Sequence, residues 1–179
     1  SLPSESKDGA AEEAQRPEGK GMVVAVRIRP LSTREIAAGC KSTCEVGAEE
    51  TIVIRRDTRD GGVLRSQAAS CNEYAFDSAF GPDSSQQDIY NATAKPFIPN
   101  LLKGLHVTVF AYGATGAGKT HTMLGNSRVD DASMHTAEAG IIPQAVHDLF
   151  SQIESKQKAQ ERGESWTVSS TFVEIYNEQ

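Results

Sequence analysis

VTVFAYGATGAGKTHT, residues Val107–Thr122, joins a run of strand-forming residues to a glycine-rich turn and a Lys-Thr pair. Gly113, four residues, and then Gly118-Lys119-Thr120 fit the pattern G-x-x-x-x-G-K-[ST], the phosphate-binding P-loop. The chemistry requires this spacing. Successive backbone N–H groups along Gly113, Ala114, Thr115, Gly116, Ala117 and Gly118 turn inward and form a concave anion cradle. Lys119 is placed to reach β- and γ-phosphates, and the Thr120 hydroxyl to ligate Mg²⁺. A helix starting here adds a partial charge of roughly +0.5 at its N-terminus. The competing reading is coincidence in a Gly-rich loop. With 15 glycines in 179 residues, a chance match is on the order of one in a hundred. Context argues against chance. Val107–Tyr112 predicts a buried strand directly before the loop, a helix can follow it, and strand–loop–helix is the setting that the motif needs.

Upstream, Met22–Ile28 is a β-branched strand that Pro30 closes. Ser32 is an N-cap for a short helix over Thr33–Ala38, with Glu35 as capping-box partner and Gly39 as stop. Thr43–Val46 and Thr51–Arg55 read as short strands around an acidic turn, and Tyr74–Phe80 as another strand. Between them, Arg56–Ala69 is a polar insertion with a turn signal at Asp60-Gly61-Gly62. Ser84 or Ser85 caps a helix running towards Leu102, interrupted by Pro96 and Pro99 and ended by Gly104. Strand, helix and strand thus precede the loop, which is α/β order.

Downstream, Gly125–Gly140 reads as a long exposed insertion in which Asp130 and Asp131 form a solvated acidic turn. Ile142, Ala145, Val146, Leu149, Phe150 and Ile153 fall on one helical face. Glu154–Glu164 is a charged, frayed helix end and turn, and Trp166–Tyr176 a long strand covered on both faces.

Composition sets the bounds. A length of 179 residues suits one domain or part of a larger one. A net charge of −6 gives no support to a nucleic-acid-coating surface, and no apolar run spans a membrane. Without a signal peptide at the start, the expectation is an intracellular protein. Cys40, Cys44 and Cys71 are read as free thiols, since no second pair or nearby His completes a site around Cys40 and Cys44. Residues 1–21 carry almost nothing apolar and are expected to be disordered. The first residue is Ser1 and the end falls in a strand pattern, so an excised piece is expected, with 22–179 as a partial domain.

Taken together, several segments resemble the kinesin motor domain. They are Arg27-Ile28-Arg29-Pro30, Tyr74-Ala75-Phe76-Asp77, Ser85-Gln86-Gln87-Asp88-Ile89-Tyr90, Val109–Gly113 with the P-loop, His121-Thr122-Met123, and Glu174-Ile175-Tyr176-Asn177-Glu178. Their order and rough spacing match from Val23 onwards, whereas the P-loop core alone also resembles myosin. The stretch 111–125 looks most like the kinesin-eight class, with kinesin-ten as the near alternative.

The resemblance implies an α/β fold of P-loop NTPase type, a central sheet flanked by helices, truncated at its C-terminal side. It implies that Arg27 and Pro30 pack on the adenine of ATP, with His121 on the other face. A guanidinium over a π-face contributes roughly 0.5–2 kcal/mol. Ala114 departs from the Gln common in the family, at a position that works through backbone. The family's γ-phosphate sensors, N-x-x-S-S-R-S-H and D-x-x-G-S-E, do not occur in this sequence. No credible water-orienting residue is found; for Glu174 and Glu178 structural roles are favoured.

The expectation is therefore the ATP-binding part of a microtubule-stimulated ATPase motor, with ATP and Mg²⁺ as cofactors. Its tubulin contacts are expected mostly beyond Gln179, with no nucleic acid and no membrane partner, and the location cytoplasmic and cytoskeletal. Dimerisation of the parent and a nuclear or spindle location are left open. The alternatives are a non-motor P-loop NTPase and a nucleotide-holding binding module without turnover.

Overall fold

The computed structural model describes residues 21–55, 71–126, 138–159 and 165–175. The first strand, β1 (Ala25–Arg27), is shorter than the Met22–Ile28 run and takes its partner from far along the chain. It pairs in parallel with β5 (Ser78–Phe80), Arg27 lying opposite Phe80. The ladder extends through Ile28 N–H to Phe80 O at 2.8 Å and Asp77 N–H to Val24 O at 2.9 Å. The Asp77 carboxylate accepts from Val24 N–H at 2.8 Å and so pins the strand's entry.

After Pro30 comes α1 (Thr33–Ala37), with the expected capping box in place. Ser32 N–H donates to Glu35 Oε2 at 2.7 Å, and Glu35 N–H to Ser32 Oγ at 3.3 Å. Arg29 forks onto the same carboxylate at 2.7 and 2.5 Å. These contacts, the Arg29 hydrogen bonds first, hold Glu35 well below the usual carboxylate range.

Three strands then form an antiparallel sheet in the order β2 (Cys44–Val46), β3 (Thr51–Arg55), β4 (Cys71–Ala75). In the acidic turn, Glu49 and Glu50 have φ of 50° and 58°. Such a left-handed backbone costs a side-chain-bearing residue about 1–2 kcal/mol. Glu50 offsets that cost by joining the two sheets: its carbonyl accepts from Phe76 N–H and its carboxylate from Ala79 N–H. Tyr74–Phe80 is therefore not one strand. The chain leaves β4 after Ala75, bends at Asp77 and enters the other sheet at Ser78.

Ser85 caps α2 (Gln86–Thr93) through a box with Asp88. A 3₁₀ turn (Lys95–Phe97) and α3 (Ile98–Leu101) follow, broken where Pro96 and Pro99 were expected to interrupt. The core lies where α2 and α5 (Ile141–Ala159) meet β5: Phe80, Ile89, Tyr90, Ala94 and Ile141 are buried together, with Ala25, Met123 and Ala145 against them. The Tyr90 hydroxyl donates to Asp148 Oδ2 at 2.8 Å, tying α2 to α5. Burial first, then this bond, raises the Tyr90 phenol far above its ordinary range. The apolar face of α5 is rotated from the expected one. Ile141 and Ile153 are buried, while Ile142, Val146 and Phe150 stay largely exposed.

Two expected strands are corrected. Val107–Tyr112 and the described part of Trp166–Tyr176, residues 166–175, have no strand structure. Phe110, Tyr112 and Phe172 are 80%, 97% and 93% exposed rather than buried. A β-branched run becomes a strand only when its N–H and C=O groups find a ladder. Neither run finds one among the described residues, whose strands make a two-stranded and a three-stranded sheet. The expected disorder before residue 21, the 56–69 insertion, the Asp130-Asp131 turn and Glu178 lie outside the described residues.

Candidate functional site

The glycine loop leads directly into α4 (Lys119–Leu124). Gly118 is the residue before the first helical turn and sits at φ 96°, a left-handed angle that a Cβ would disfavour. This kink lets the loop fold over the helix start. Lys119 is half-buried beneath it, its Nζ donating to Gly113 O at 2.8 Å and Ala114 O at 3.0 Å. Ala117 N–H closes the turn onto Ala114 O at 3.1 Å. The loop thus surrounds a fixed positive charge with short residues, while Ala114, Thr115, Gly116 and Ala117 are exposed. Such a loop can cradle an anion through backbone N–H groups and a lysine.

Thr120 is exposed on the first turn of α4. Its hydroxyl is a neutral, hard oxygen donor, which fits a Mg²⁺ held largely by phosphate oxygens and water. Thr120 would hold the metal beside the phosphates, and the metal would supply neutralisation of phosphate charge.

One residue further on, α4 meets β1 and α2. Arg27 Nη1 donates to Gln86 Oε1 at 2.9 Å and to Thr122 Oγ1 at 2.9 Å, and it faces His121 Nδ1 at 3.3 Å. Gln86 is 5% exposed and also donates from Nε2 to His121 O at 2.6 Å. Gln144 on α5 adds a further layer, donating to Ala139 O at 2.7 Å and Gln86 O at 3.4 Å. Burial pulls the Arg27 guanidinium below its ordinary value, and the Glu138 carboxylate pushes the other way. Arginine remains charged under both influences.

α4 is closed at its far end by Gly125, which forms an antiparallel bridge with Ala139. A Cβ on Gly140 would lie 2.5 Å from Gly125 N and 2.6 Å from Leu124 C. The two chain segments can approach this closely only because glycine occupies the crossing. The base of the 125–140 insertion is thereby fastened to the helix that carries Lys119.

The structure brings Arg27 and His121 together beside the first turn of α4, the same turn that carries Lys119 and Thr120 and follows the Gly113–Gly118 loop. It does not bring Pro30 into the hydrogen-bonded group: Pro30 is exposed and its carbonyl accepts from Arg29. Sequence reasoning missed Gln86, Thr122 and Gln144 as parts of the site. A polar residue in the first turn of α2, at a position facing the core, was the one signal available for Gln86.

A glycine loop closed over a lysine at a helix start, in an α/β setting, defines the P-loop NTPase type. The Kinesin motor domain family model matches residues 27–179, and the chain belongs to that family. Kinesin-like protein Klp61F of Drosophila melanogaster is 33% identical over 177 residues, covering 97% of this chain and 15% of that protein. Kinesin-like protein KIN-5B of Oryza sativa subsp. japonica is 39% identical over 158 residues, 87% of this chain and 14% of that one. Kinesin-like protein KIF19 of Homo sapiens is 36% identical over 158 residues, 88% and 14% respectively. The chain thus spans about 14–15% of the length of these curated relatives. No helix among the described residues is long and apolar enough to cross a membrane.

Proposed function

We propose that this chain carries the ATP-cradling part of a microtubule-stimulated ATPase motor. One observation carries the reading: a single helix, α4, presents Lys119 and Thr120 at its loop end and His121, held against Arg27, one residue later. Phosphate-binding and base-binding groups thereby share one rigid turn. The Gly113–Gly118 backbone and Lys119 bind the phosphates, Thr120 holds Mg²⁺, and Arg27 and His121 flank the base. Pro30, exposed beyond β1, completes the base contact only if the nucleotide reaches outward past Arg27. ATP hydrolysis in the whole protein alters its affinity for the microtubule and so drives movement along it or its remodelling. The location that follows is the cytoskeleton, and the domain is taken to begin at residue 22.

The finer class rests on residues 111–125 alone, which favour kinesin-eight over kinesin-ten. The test is ATP turnover by the full-length protein with and without microtubules, beside Lys119→Ala. Stimulation that the variant abolishes is the expected result. Turnover without a microtubule response would point to a non-motor P-loop NTPase. ADP retention without turnover would leave a nucleotide-holding module.

A further inference from the structure

We infer that Gln86 is a positioning residue for the base end of the nucleotide site, setting Arg27 and His121 relative to one another; this rests on the reading of those two residues as the base contacts. The hydrogen bonds leave its side chain no freedom. Arginine only donates, so the Gln86 atom 2.9 Å from Arg27 Nη1 must be the amide oxygen. A backbone carbonyl only accepts, so the atom 2.6 Å from His121 O must be the amide nitrogen. One neutral group therefore answers a donor on β1 and an acceptor on α4, across 59 and 35 residues of sequence.

The same pair positions the His121 ring, whose Nδ1 lies 3.3 Å from Arg27 Nη1 and 3.4 Å from Gln86 Nε2. The ring face and the guanidinium are held in one arrangement before any base arrives, which lowers the ordering cost of binding. Gln86 is only 5% exposed and so unavailable to solvent or ligand, and its effect is transmitted through its two partners. Glutamate would keep the bond to Arg27 and turn an oxygen against His121 O. Methionine would keep the volume and lose both bonds.

The experiment uses the full-length protein and two ligands, ATP and tripolyphosphate, the second lacking the base. Arg27→Ala and His121→Ala test the underlying reading: both are expected to weaken ATP and leave tripolyphosphate unchanged. Gln86→Met tests the inference. The expected result is a roughly tenfold rise in Kd for ATP, as for a lost hydrogen bond to a charged group, with tripolyphosphate unchanged and no further loss when Arg27→Ala is added. If Arg27→Ala and His121→Ala weaken ATP but Gln86→Met does not, the inference fails and the reading stands. If neither of the first two weakens ATP, the reading itself fails and takes the inference with it. Should Gln86→Met lose tripolyphosphate as well, Gln86→Glu decides: selective loss of ATP supports positioning, and equal loss of both ligands overturns it in favour of a purely structural role.

Discussion

Replacing Tyr90 with phenylalanine removes one oxygen from the centre of the described core and tests how α2 is held. Tyr90 is 1% exposed, and its hydroxyl donates to Asp148 Oδ2 at 2.8 Å. The ring keeps its contacts with Phe80, Ile89 and Ile141 in the variant, so no cavity forms. What is lost is one hydrogen bond to a carboxylate, a class that contributes about 1.5–3 kcal/mol. The Asp148 side chain is 27% exposed, so water replaces part of the missing partner and the low end applies. The expected cost is therefore about 1.5 kcal/mol, a little over tenfold in the unfolding equilibrium.

Urea titration of the full-length protein followed by circular dichroism, with Asp148→Asn and the double variant closing a cycle, measures it. A second arm uses pH. The phenol is raised in the fold, by burial first and then by Asp148, above its ordinary value of 10.0. A raised group contributes stability fully below the unfolded pKa and loses it as pH climbs towards the folded one. Wild type should therefore lose up to about 1.4 kcal/mol per pH unit above pH ~10 that Tyr90→Phe does not lose. Equal stabilities at pH 8 and equal alkaline slopes would refute the argument.

Two further substitutions bear on the caps and the crossing. Ser85→Ala removes the acceptor for Asp88 N–H at 3.1 Å and the donor to Asp88 Oδ2 at 2.7 Å, and should cost about 1 kcal/mol at pH 7. Asp88 is lowered by the Ser85 hydroxyl and then its N–H, so the part of this stabilisation that the carboxylate carries is lost as pH falls below about 3.8, and the gap between the urea midpoints of variant and parent should narrow there. Gly140→Ala sets a Cβ 2.5–2.6 Å from backbone atoms of Met123, Leu124 and Gly125 and should cost about 3 kcal/mol, whereas Gly21→Ala meets nothing within 4 Å and should be neutral by thermal melting.

How legible these features were depended on how local their causes are. The capping box of Ser32 with Glu35 spans three residues and was readable from spacing, while Ser85 was one of two cap candidates whose partner Asp88 only the structure gives. The proline interruptions at Pro96 and Pro99 and the helix start at Lys119 were equally local. The strands expected at 107–112 and 166–176 were not determined locally. Val, Thr, Phe and Ile express a preference for a pleated surface, and that preference acts only where another strand offers hydrogen bonds. Tyr74–Phe80 failed for the opposite reason: two ladders compete for one run, and Asp77 takes the bend between them. The group around Arg27 joins positions 59 and 94 residues apart, so no local pattern could reveal which partners Gln86 holds.

The same contrast shows what holds the glycine loop. Its N-terminal lead, residues 107–112, is unpaired among the described residues, and Tyr112, the last residue before Gly113, is 97% exposed. Support comes from the helix side. Arg27 holds Thr122, Gln86 holds the His121 carbonyl, and the Gly125–Ala139 bridge closes the last turn of α4. Lys119 then draws Gly113 and Ala114 back onto that anchored helix. Loop geometry is thus set by residues that follow the loop in sequence or reach it from β1 and α2. Because Gln144 on α5 touches both Gln86 O and Ala139 O, the group around Arg27 and the foot of the 125–140 insertion share one support. The glycine loop is fastened to α4 by a separate pair of bonds, from the Lys119 ammonium to Gly113 O and Ala114 O.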